Sequence, residues 1–281
     1  MVSEFRVDPG AYGDFNQHHV EVGPHTLHIV DEGSGPPVVQ VHGSPLSSFS
    51  FRHQIAGLAP HFRVIVPDML GYGQSSKPED GVTFVEQAEA LRGLLDNLAL
   101  DSFRLLVHDW GGPTGMAAVC DRLDHIAQLV LLNTTLRPDF APPWYWRQFT
   151  SITGDLLLVK LNVFSRGLGS MMQAARQPDI GNYYREALDP MGTRRTMLRL
   201  ERLEGYQPLM EDVEHALKGV DIPSLIVWGT PDQYFSQREM KYLQMVFPDA
   251  DVVEVPDGGH FVMEDKPQAL TNALLTFFDS S

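Results

Sequence analysis

Short apolar runs separated by polar, glycine-rich turns recur along most of the chain. Residues 17–31 alternate between polar and apolar positions around a Gly23–Pro24 turn, which predicts an antiparallel hairpin. Later runs are apolar almost throughout, as is typical of strands covered on both faces: PPVVQV, FRVIVP, SFRLLVHD, HIAQLVLLN, SLIVWG and, last, DVVEVP. Amphipathic segments such as TFVEQAEALRGLLDNL lie between them and predict helices. The pattern therefore predicts an α/β protein with a mostly parallel sheet flanked by helices.

The alternation of strands and helices stops between residues 138 and 215. This stretch contains no run of buried-strand type, and its segments, such as GDLLLVKLNVFSRGL and TRRTMLRLERL, are typical of helices. We therefore predict a core domain of residues 1–137 and 216–281 and a helical cap of residues 138–215. A cap inserted at the carboxyl ends of parallel strands would enclose a pocket.

Asp109 lies where a buried strand runs into a small-residue turn and a helix, in LLVHDWGGPTG. Such a turn projects one side chain above the sheet, and the free N–H groups of the following helix favour negative charge there. Gly111 and Gly112 would let strand and helix approach closely, although Val107 stands where this kind of turn commonly has glycine. A simpler interpretation is that Asp109 only caps the helix.

Two other polar residues also follow predicted strands. Asp232 lies in WGTPDQYF and His260 lies in the glycine-rich segment GGHFVMED. Each alone could be an ordinary turn or surface residue. Because the chain order nucleophile, acid, histidine is one that catalytic triads use, we predict Asp109 as nucleophile, His260 as base and Asp232 as its orienting acid.

The turn VHGSP at residues 41–45 also follows a strand. It could direct the backbone N–H of Ser44 into the site, where it would form an oxyanion hole with the backbone N–H of Trp110. The same peptide could equally be a plain strand-ending turn.

An aspartate at this position indicates a particular chemistry. A carboxylate is already ionised at pH 7 and needs no base before it attacks. Its attack on a saturated carbon gives an alkyl ester, which water activated by His260 can cleave at the Asp109 carbonyl carbon. A serine would give an ether, which water does not cleave. Asp109 therefore favours displacement of a halide or of an epoxide oxygen.

The segments VDEGSGPPVVQVHGSP, VPDMLGYGQSSKP, HDWGGPTG, WGTPDQYF and GGHFVMED resemble the haloalkane dehalogenases, which have the α/β-hydrolase fold. The resemblance implies hydrolysis of small uncharged haloalkanes to an alcohol and a halide without cofactor or metal. It further implies that Trp110 and a cap tryptophan bind the halide. Trp146, followed by Arg-Gln-Phe, fits the cap position, and Trp144 competes with it.

The sequence also resembles the neighbouring epoxide hydrolases, which use the same triad with two cap tyrosines. Tyr145 and Tyr184 are the available pair, but Ser44 is not the aromatic residue that these enzymes typically have in the His-Gly-x-Pro turn. Fluoroacetate dehalogenases fit less well, because they carry arginine where this chain has Trp110. A non-catalytic ligand receptor of the same fold is a further alternative, although such proteins usually lack an intact triad.

Composition narrows the partners. The chain has 281 residues and a net charge of −15, which makes nucleic acid and anionic membranes poor partners. Its one cysteine, Cys120, excludes an intrachain disulfide, and we find neither a signal peptide nor a 20-residue apolar stretch. We therefore expect a cytoplasmic enzyme, monomeric or homodimeric, whose partners are a small apolar substrate and a halide product.

Overall fold

Residues 9–279 are described by a computed structural model and contain an eight-stranded, mostly parallel sheet. The spatial order is β1-β2-β4-β3-β5-β6-β7-β8, with β2 antiparallel to its neighbours β1 and β4 and every other neighbouring pair parallel. The strands are β1 Gln17–Val22, β2 His25–Glu32, β3 Pro37–Val41, β4 Arg63–Pro67, β5 Phe103–Asp109, β6 Ile126–Thr134, β7 Ser224–Thr230 and β8 Asp251–Pro256. The predicted fold class and the predicted hairpin are confirmed. The expectation about a leader concerned the first ten residues, of which 1–8 lie outside the described part.

Helices of the core pack in two groups. One contains α1 (Arg52–Leu58), α10 (Val262–Asp265) and α11 (Pro267–Asp279), and the other contains α2 (Phe84–Leu98) and α3 (Gly111–Val119). Helix α2 begins at a capping box, in which Thr83 and Glu86 satisfy each other's backbone N–H groups. The same device starts α9 (Gln237–Val246), where Ser236 and Glu239 form the box. The sequence reasoning missed α9, although its S-x-x-E pattern was the available signal.

The segment between β6 and β7 is helical in the structure. It contains a 3₁₀ turn Trp144–Trp146, α4 Arg147–Thr150, a π-helix Asp155–Lys160, α5 Val163–Met171, α6 Pro178–Ala187, α7 Met191–Glu201 and α8 Tyr206–Ala216. The single helix expected over GDLLLVKLNVFSRGL is wrong, because Asn162 takes a left-handed φ of 46° and separates the π-helix from α5. Helix α8 packs against α2 and α3, so the limits of the cap at 138 and 215 stay a prediction.

The buried strands β5, β6 and β7 determine where the candidate site lies. The side chains of β5 from Leu105 to Asp109 are buried, and those of β6 and β7 are buried over nearly their whole length. Parallel strands end at the same edge of a sheet, so the residues that follow β5, β6 and β7 lie close together beneath the helical insertion. Within residues 9–279 no helix has both the length and the apolar character that a membrane crossing requires.

Candidate active site

Asp109 ends β5 in a strained backbone conformation. Its φ is 53°, in the left-handed region that non-glycine residues rarely adopt. A Cβ atom added at Gly111 would lie 2.5 Å from the Val41 carbonyl oxygen, and one added at Gly112 would lie 1.9 Å from the Thr134 hydroxyl. That hydroxyl donates a hydrogen bond to the Asp109 carbonyl oxygen at 2.6 Å. The turn is therefore sharp enough to raise the Asp109 side chain above the sheet.

Val107, the departure from the usual turn pattern, has a partner that explains it. A Cβ atom at Gly115 in α3 would lie 2.8 Å from Cγ1 of Val107. Gly115 in the helix therefore gives the Val107 side chain the space that this kind of turn commonly obtains from a glycine in the strand.

The structure brings the three predicted triad residues together. Nε2 of His260 lies 3.3 Å from Oδ2 of Asp109, and Nδ1 lies 2.9 Å from Oδ2 of Asp232. Burial disfavours the charged ring, but Asp232 and then Asp109 outweigh it and raise the pKa of His260 to about 10. A protonated His260 between two carboxylates is therefore the resting arrangement at neutral pH.

Asp232 is held by more than His260. Its Oδ1 accepts the backbone N–H groups of Tyr234 and Phe235 at 2.7 and 3.0 Å, and its Oδ2 also accepts from Nδ2 of Asn133 at 2.7 Å. Asn133 lies near the end of the buried strand β6 and was missed in the sequence, where a polar residue at the end of an apolar run was the only signal. These donors fix the carboxylate that orients His260.

His108, directly before the nucleophile, was also missed. Its Nε2 lies 3.0 Å from the carbonyl oxygen of His260 and donates to it. Burial and the neighbouring His260 hold the pKa of His108 well below its ordinary value, so the ring is neutral. His108 therefore positions the backbone of the catalytic loop and cannot compete as a charged group.

The backbone N–H of Ser44 points at the predicted nucleophile and donates to Oδ1 of Asp109 at 2.8 Å. The Ser44 hydroxyl is paired with the Tyr72 hydroxyl at 2.7 Å. His42 accepts the backbone N–H of Met69 at 2.9 Å, which anchors the turn. Ser44 is thus placed to stabilise charge on Oδ1, as the oxyanion-hole prediction for Ser44 and Trp110 requires.

Both predicted halide donors contact a residue that the sequence reasoning missed. Nε1 of Trp110 donates to Oε1 of Glu201 at 3.2 Å, and Nε1 of Trp146 donates to Oε2 at 2.6 Å. The Tyr234 hydroxyl also donates to Oε2, at 2.7 Å. Glu201 ends α7 in the segment TRRTMLRLERL, which predicted only a helix. Its one available signal was its place on the buried face of that helix, beside Met197, Leu198 and Leu200.

The Glu201 carboxyl is 5% exposed, and its protonation responds to this environment. Burial raises its pKa, the three donors from Tyr234, Trp110 and Trp146 oppose that effect, and the nearby Asp109 charge adds to it. The net result is a pKa of about 7. Near neutral pH the group therefore exists in both protonation states.

The remaining aromatic candidates lie elsewhere. Trp144 is 79% exposed, which leaves Trp146 as the buried cap tryptophan. Tyr145 donates to the Gln233 carbonyl oxygen, and Tyr184 donates at 2.5 Å to Glu264. Neither tyrosine lines the cavity at Asp109. The structure therefore gives no contact that supports these two tyrosines as donors to an epoxide oxygen, the role that the alternative interpretation gave them.

A small cavity of about 20 Å³ lies over Asp109, enough for one water molecule. Its polar lining comes from Ser44, Asp109, Trp146, Glu201, Tyr234 and His260, and its apolar lining from Pro45, Phe164, Met171, Met197 and Phe261. An open cleft of about 350 Å³ begins at the same Met171 and His260. A substrate would enter from this cleft by displacing apolar side chains such as Met171.

Comparison with known proteins assigns the family. Residues 36–267 match the alpha/beta hydrolase fold family, and the chain belongs to it. The chain is similar to haloalkane dehalogenase 2 of Mycobacterium tuberculosis, with 29% identity over 99% of this chain and 100% of that protein. It is similar to a cis-3-alkyl-4-alkyloxetan-2-one decarboxylase of Shewanella oneidensis, with 34% identity over 89% of this chain and 84% of that protein.

Among solved structures, the chain is similar to a mutant of the haloalkane dehalogenase DatA from Agrobacterium tumefaciens C58. The TM-score is 0.86 at 25% identity, over 95% of this chain and 98% of that one. The likeness extends through the helical insertion, because the matched portion is nearly the whole of both chains.

Proposed function

We propose that this chain is a hydrolase acting on carbon–halogen bonds, which converts small uncharged haloalkanes to an alcohol and a halide through an ester of Asp109. The observation that carries the proposal is the contact of Asp109, at a sharp turn, with His260 and through it with Asp232. The similarity to haloalkane dehalogenases over nearly the full length supports the substrate class.

In the first step a carboxylate oxygen of Asp109 attacks the halogen-bearing carbon. Oδ1 already accepts the N–H of Ser44, whereas Oδ2 faces His260. Oδ2 is therefore the oxygen that we assign to the attack, and Oδ1 becomes the carbonyl oxygen of the ester. The carbon–halogen bond breaks as the new carbon–oxygen bond forms, and the halide leaves with the electron pair.

In the second step His260 activates water. Asp109 is one of the two carboxylates that raise the pKa of His260 to about 10. Esterification removes the Asp109 charge, so the ring releases its proton to solvent more readily and can then accept one from water. The water attacks the Asp109 carbonyl carbon, and the backbone N–H groups of Ser44 and Trp110 stabilise the oxyanion that forms.

Binding of the halide by Trp110 and Trp146 is also part of the proposal. Trp110 and Trp146 supply two converging indole N–H groups, which both contact Glu201 in this structure. An ionised Glu201 would repel a departing halide, whereas a neutral carboxyl would not. We therefore expect halide to bind between the indoles when Glu201 is protonated.

Opening of a strained oxygen ring is the second candidate function. The observation that favours it is the buried carboxyl of Glu201, which lines the cavity together with Asp109 and accepts from both indoles. The Shewanella oneidensis relative is named for a four-membered cyclic ester, which is such a ring. The nucleophile and the base would keep their roles.

A trapping experiment tests the shared first step. His260→Phe should allow Asp109 to be alkylated and prevent hydrolysis of the ester. Incubation with 1-bromobutane should release one bromide per protein and leave a butyl adduct on Asp109, located by peptide mass spectrometry. The parent protein should turn over continuously, and a folded Asp109→Ala protein should do neither. Sustained bromide release by Asp109→Ala would refute the nucleophile assignment.

A further inference from the structure

Glu201 is a buried acid in a place where the proposed displacement of halide has no need of one. Its three hydrogen-bond donors, from Trp110, Trp146 and Tyr234, carry no charge. A carboxylate so placed gains hydrogen bonds but no ion pair, which makes the protonated form accessible near neutral pH. A halide leaves without a proton, so the dehalogenation mechanism gives this group no function.

The cavity places Glu201 and Asp109 at the same reacting group. Both carboxyls line a space of about 20 Å³, which holds a single small group. An atom leaving the carbon that Asp109 attacks therefore departs within reach of Glu201. The two indole N–H groups fix the orientation of the Glu201 carboxyl at that point.

The two carboxyl oxygens of Glu201 differ in how many hydrogen bonds they accept. Oε2 accepts from Trp146 and from Tyr234, at 2.6 and 2.7 Å. Oε1 accepts only from Trp110, at the longer distance of 3.2 Å. A carboxyl proton is best carried by the oxygen with fewer donors, so Oε1 is the oxygen that would bear it.

We propose that Glu201 is a catalytic acid that donates its Oε1 proton to an oxygen leaving group, and that the site therefore opens epoxides. This proposal rests on the proposed roles of Asp109 and His260. It replaces the tyrosine donors expected from the sequence with a carboxylic acid of α7.

The atoms balance in two steps. Oδ2 of Asp109 forms a bond to a ring carbon, the carbon–oxygen bond of the epoxide breaks, and its electron pair stays on the ring oxygen. That oxygen takes the proton of Glu201, which leaves a hydroxyalkyl ester and a Glu201 carboxylate. Water then cleaves the ester with help from His260. The proton that His260 carries at rest passes to Glu201, and the neutral ring then accepts one proton of the water while the other ends on the second hydroxyl of the diol.

The pKa values of Glu201 and its neighbours indicate which group changes its protonation near neutral pH, and that group is Glu201. Asp109 and His260 line the same cavity, and the raised pKa of His260 keeps its ring protonated. Burial raises the pKa of Tyr72 and Tyr234 well above the ordinary value, so both hydroxyls stay neutral. Epoxide opening should therefore slow as the pH rises through about 7, the pKa of Glu201.

A matched pair of four-carbon probes separates this role from the shared chemistry. In the His260→Phe protein, 1-bromobutane and 1,2-epoxybutane should both alkylate Asp109. Adding Glu201→Gln should slow alkylation by the epoxide about 100-fold or more, because an amide cannot transfer a proton. Alkylation by 1-bromobutane should be unchanged or faster. The same substitution at Glu204, a partly exposed residue paired with Arg199, is the control and should alter neither rate.

A second variant protects the test against a folding defect. Glu201→Ala should lose epoxide opening, and formate should restore part of it by placing a small acid in the vacated space. Equal slowing with both probes after Glu201→Gln, without rescue of Glu201→Ala by formate, would overturn the acid role and leave a structural one. Alkylation by 1-bromobutane but never by the epoxide would overturn it too, with the proposed function intact. Failure of both probes to modify Asp109 would overturn the proposed function itself.

Discussion

The two indoles at the nucleophile are distinguished from the third nearby tryptophan by burial and by direction. Trp110 and Trp146 are buried and aim their N–H groups at the same carboxyl, whereas Trp144 is 79% exposed. A leaving anion that displaced the Glu201 carboxyl from Trp110 and Trp146 would receive two hydrogen bonds, each worth roughly 1.5–3 kcal/mol when one partner is charged.

Removal of either buried donor should therefore slow carbon–halogen cleavage. We expect Trp110→Phe and Trp146→Phe each to lower the rate of Asp109 alkylation by 1-bromobutane by about 10- to 100-fold. Trp144→Phe is the control and should change the rate by less than about twofold, since surface substitutions rarely perturb a site. Bromide should quench tryptophan fluorescence saturably in the parent and more weakly in the two damaging variants. If Trp146→Phe cleaves at the parental rate, the second donor is another group.

Some residues of the site could be predicted from their position in the chain, whereas others could be recognised only after the helices and strands are packed together. Asp109, Asp232 and His260 each follow a strand, so their convergence could be predicted from chain order alone. Glu201 could not be, because on an amphipathic helix it resembles any other glutamate until α7 is packed against the two indoles. Asn133 was hidden for the same reason, since its contact with Asp232 joins strands β6 and β7.

At the scale of elements, the prediction followed hydrophobic periodicity and failed where periodicity carries no signal. The strands and α2 were predicted because their apolar patterns are strong. The break between the π-helix and α5 was missed. The apolar pattern continues across Asn162, but the helical backbone conformation is interrupted there. The strand–helix turn at Asp109 was predictable because its glycines are a steric requirement.

That steric requirement can be measured at Gly111. A Cβ atom there would lie 2.5 and 2.6 Å from the carbonyl oxygens of Val41 and His42, which are backbone atoms that cannot turn aside. We expect Gly111→Ala to reduce the free energy of unfolding by about 2 kcal/mol or more, as overpacking does, and to lower the rate of Asp109 alkylation as well. Denaturant melts and the 1-bromobutane reaction measure the two effects.

Gly167 in α5 provides the matched control. A Cβ atom there meets nothing within 4 Å, so Gly167→Ala should leave activity unchanged and stabilise the helix by about 0.5–1 kcal/mol. Equal stability of the two alanine variants would show that the turn under Asp109 can widen freely.

Over the whole molecule, the surface charge and the buried titratable groups both lower stability as the pH rises. The chain carries a net charge of −15, and a higher pH adds to the repulsion between its surface charges. In the interior, the pKa of Glu201 is raised from 4.5 to about 7 and that of His260 from 6.5 to about 10. For both groups the folded state holds its proton more tightly than the unfolded state does. The stability linked to each is therefore greatest below its ordinary pKa and falls as the pH rises through the folded one.

Most of the Glu201 contribution is lost between pH 5 and pH 7, where the His260 contribution also begins to fall as the unfolded ring titrates near 6.5; comparison with Glu201→Gln separates the two. A shift from 4.5 to about 7 corresponds to a loss of about 3 kcal/mol over its full range. Roughly 2 kcal/mol of that loss falls between these pH values, so thermal unfolding of the parent should move to lower temperature by about 3–4 °C. Glu201→Gln cannot ionise, so its unfolding temperature should fall less over the same interval, whereas Glu204→Gln should follow the parent. If parent and Glu201→Gln give parallel curves, the Glu201 carboxyl is already ionised at pH 5. The proton that epoxide opening needs would then be absent at neutral pH.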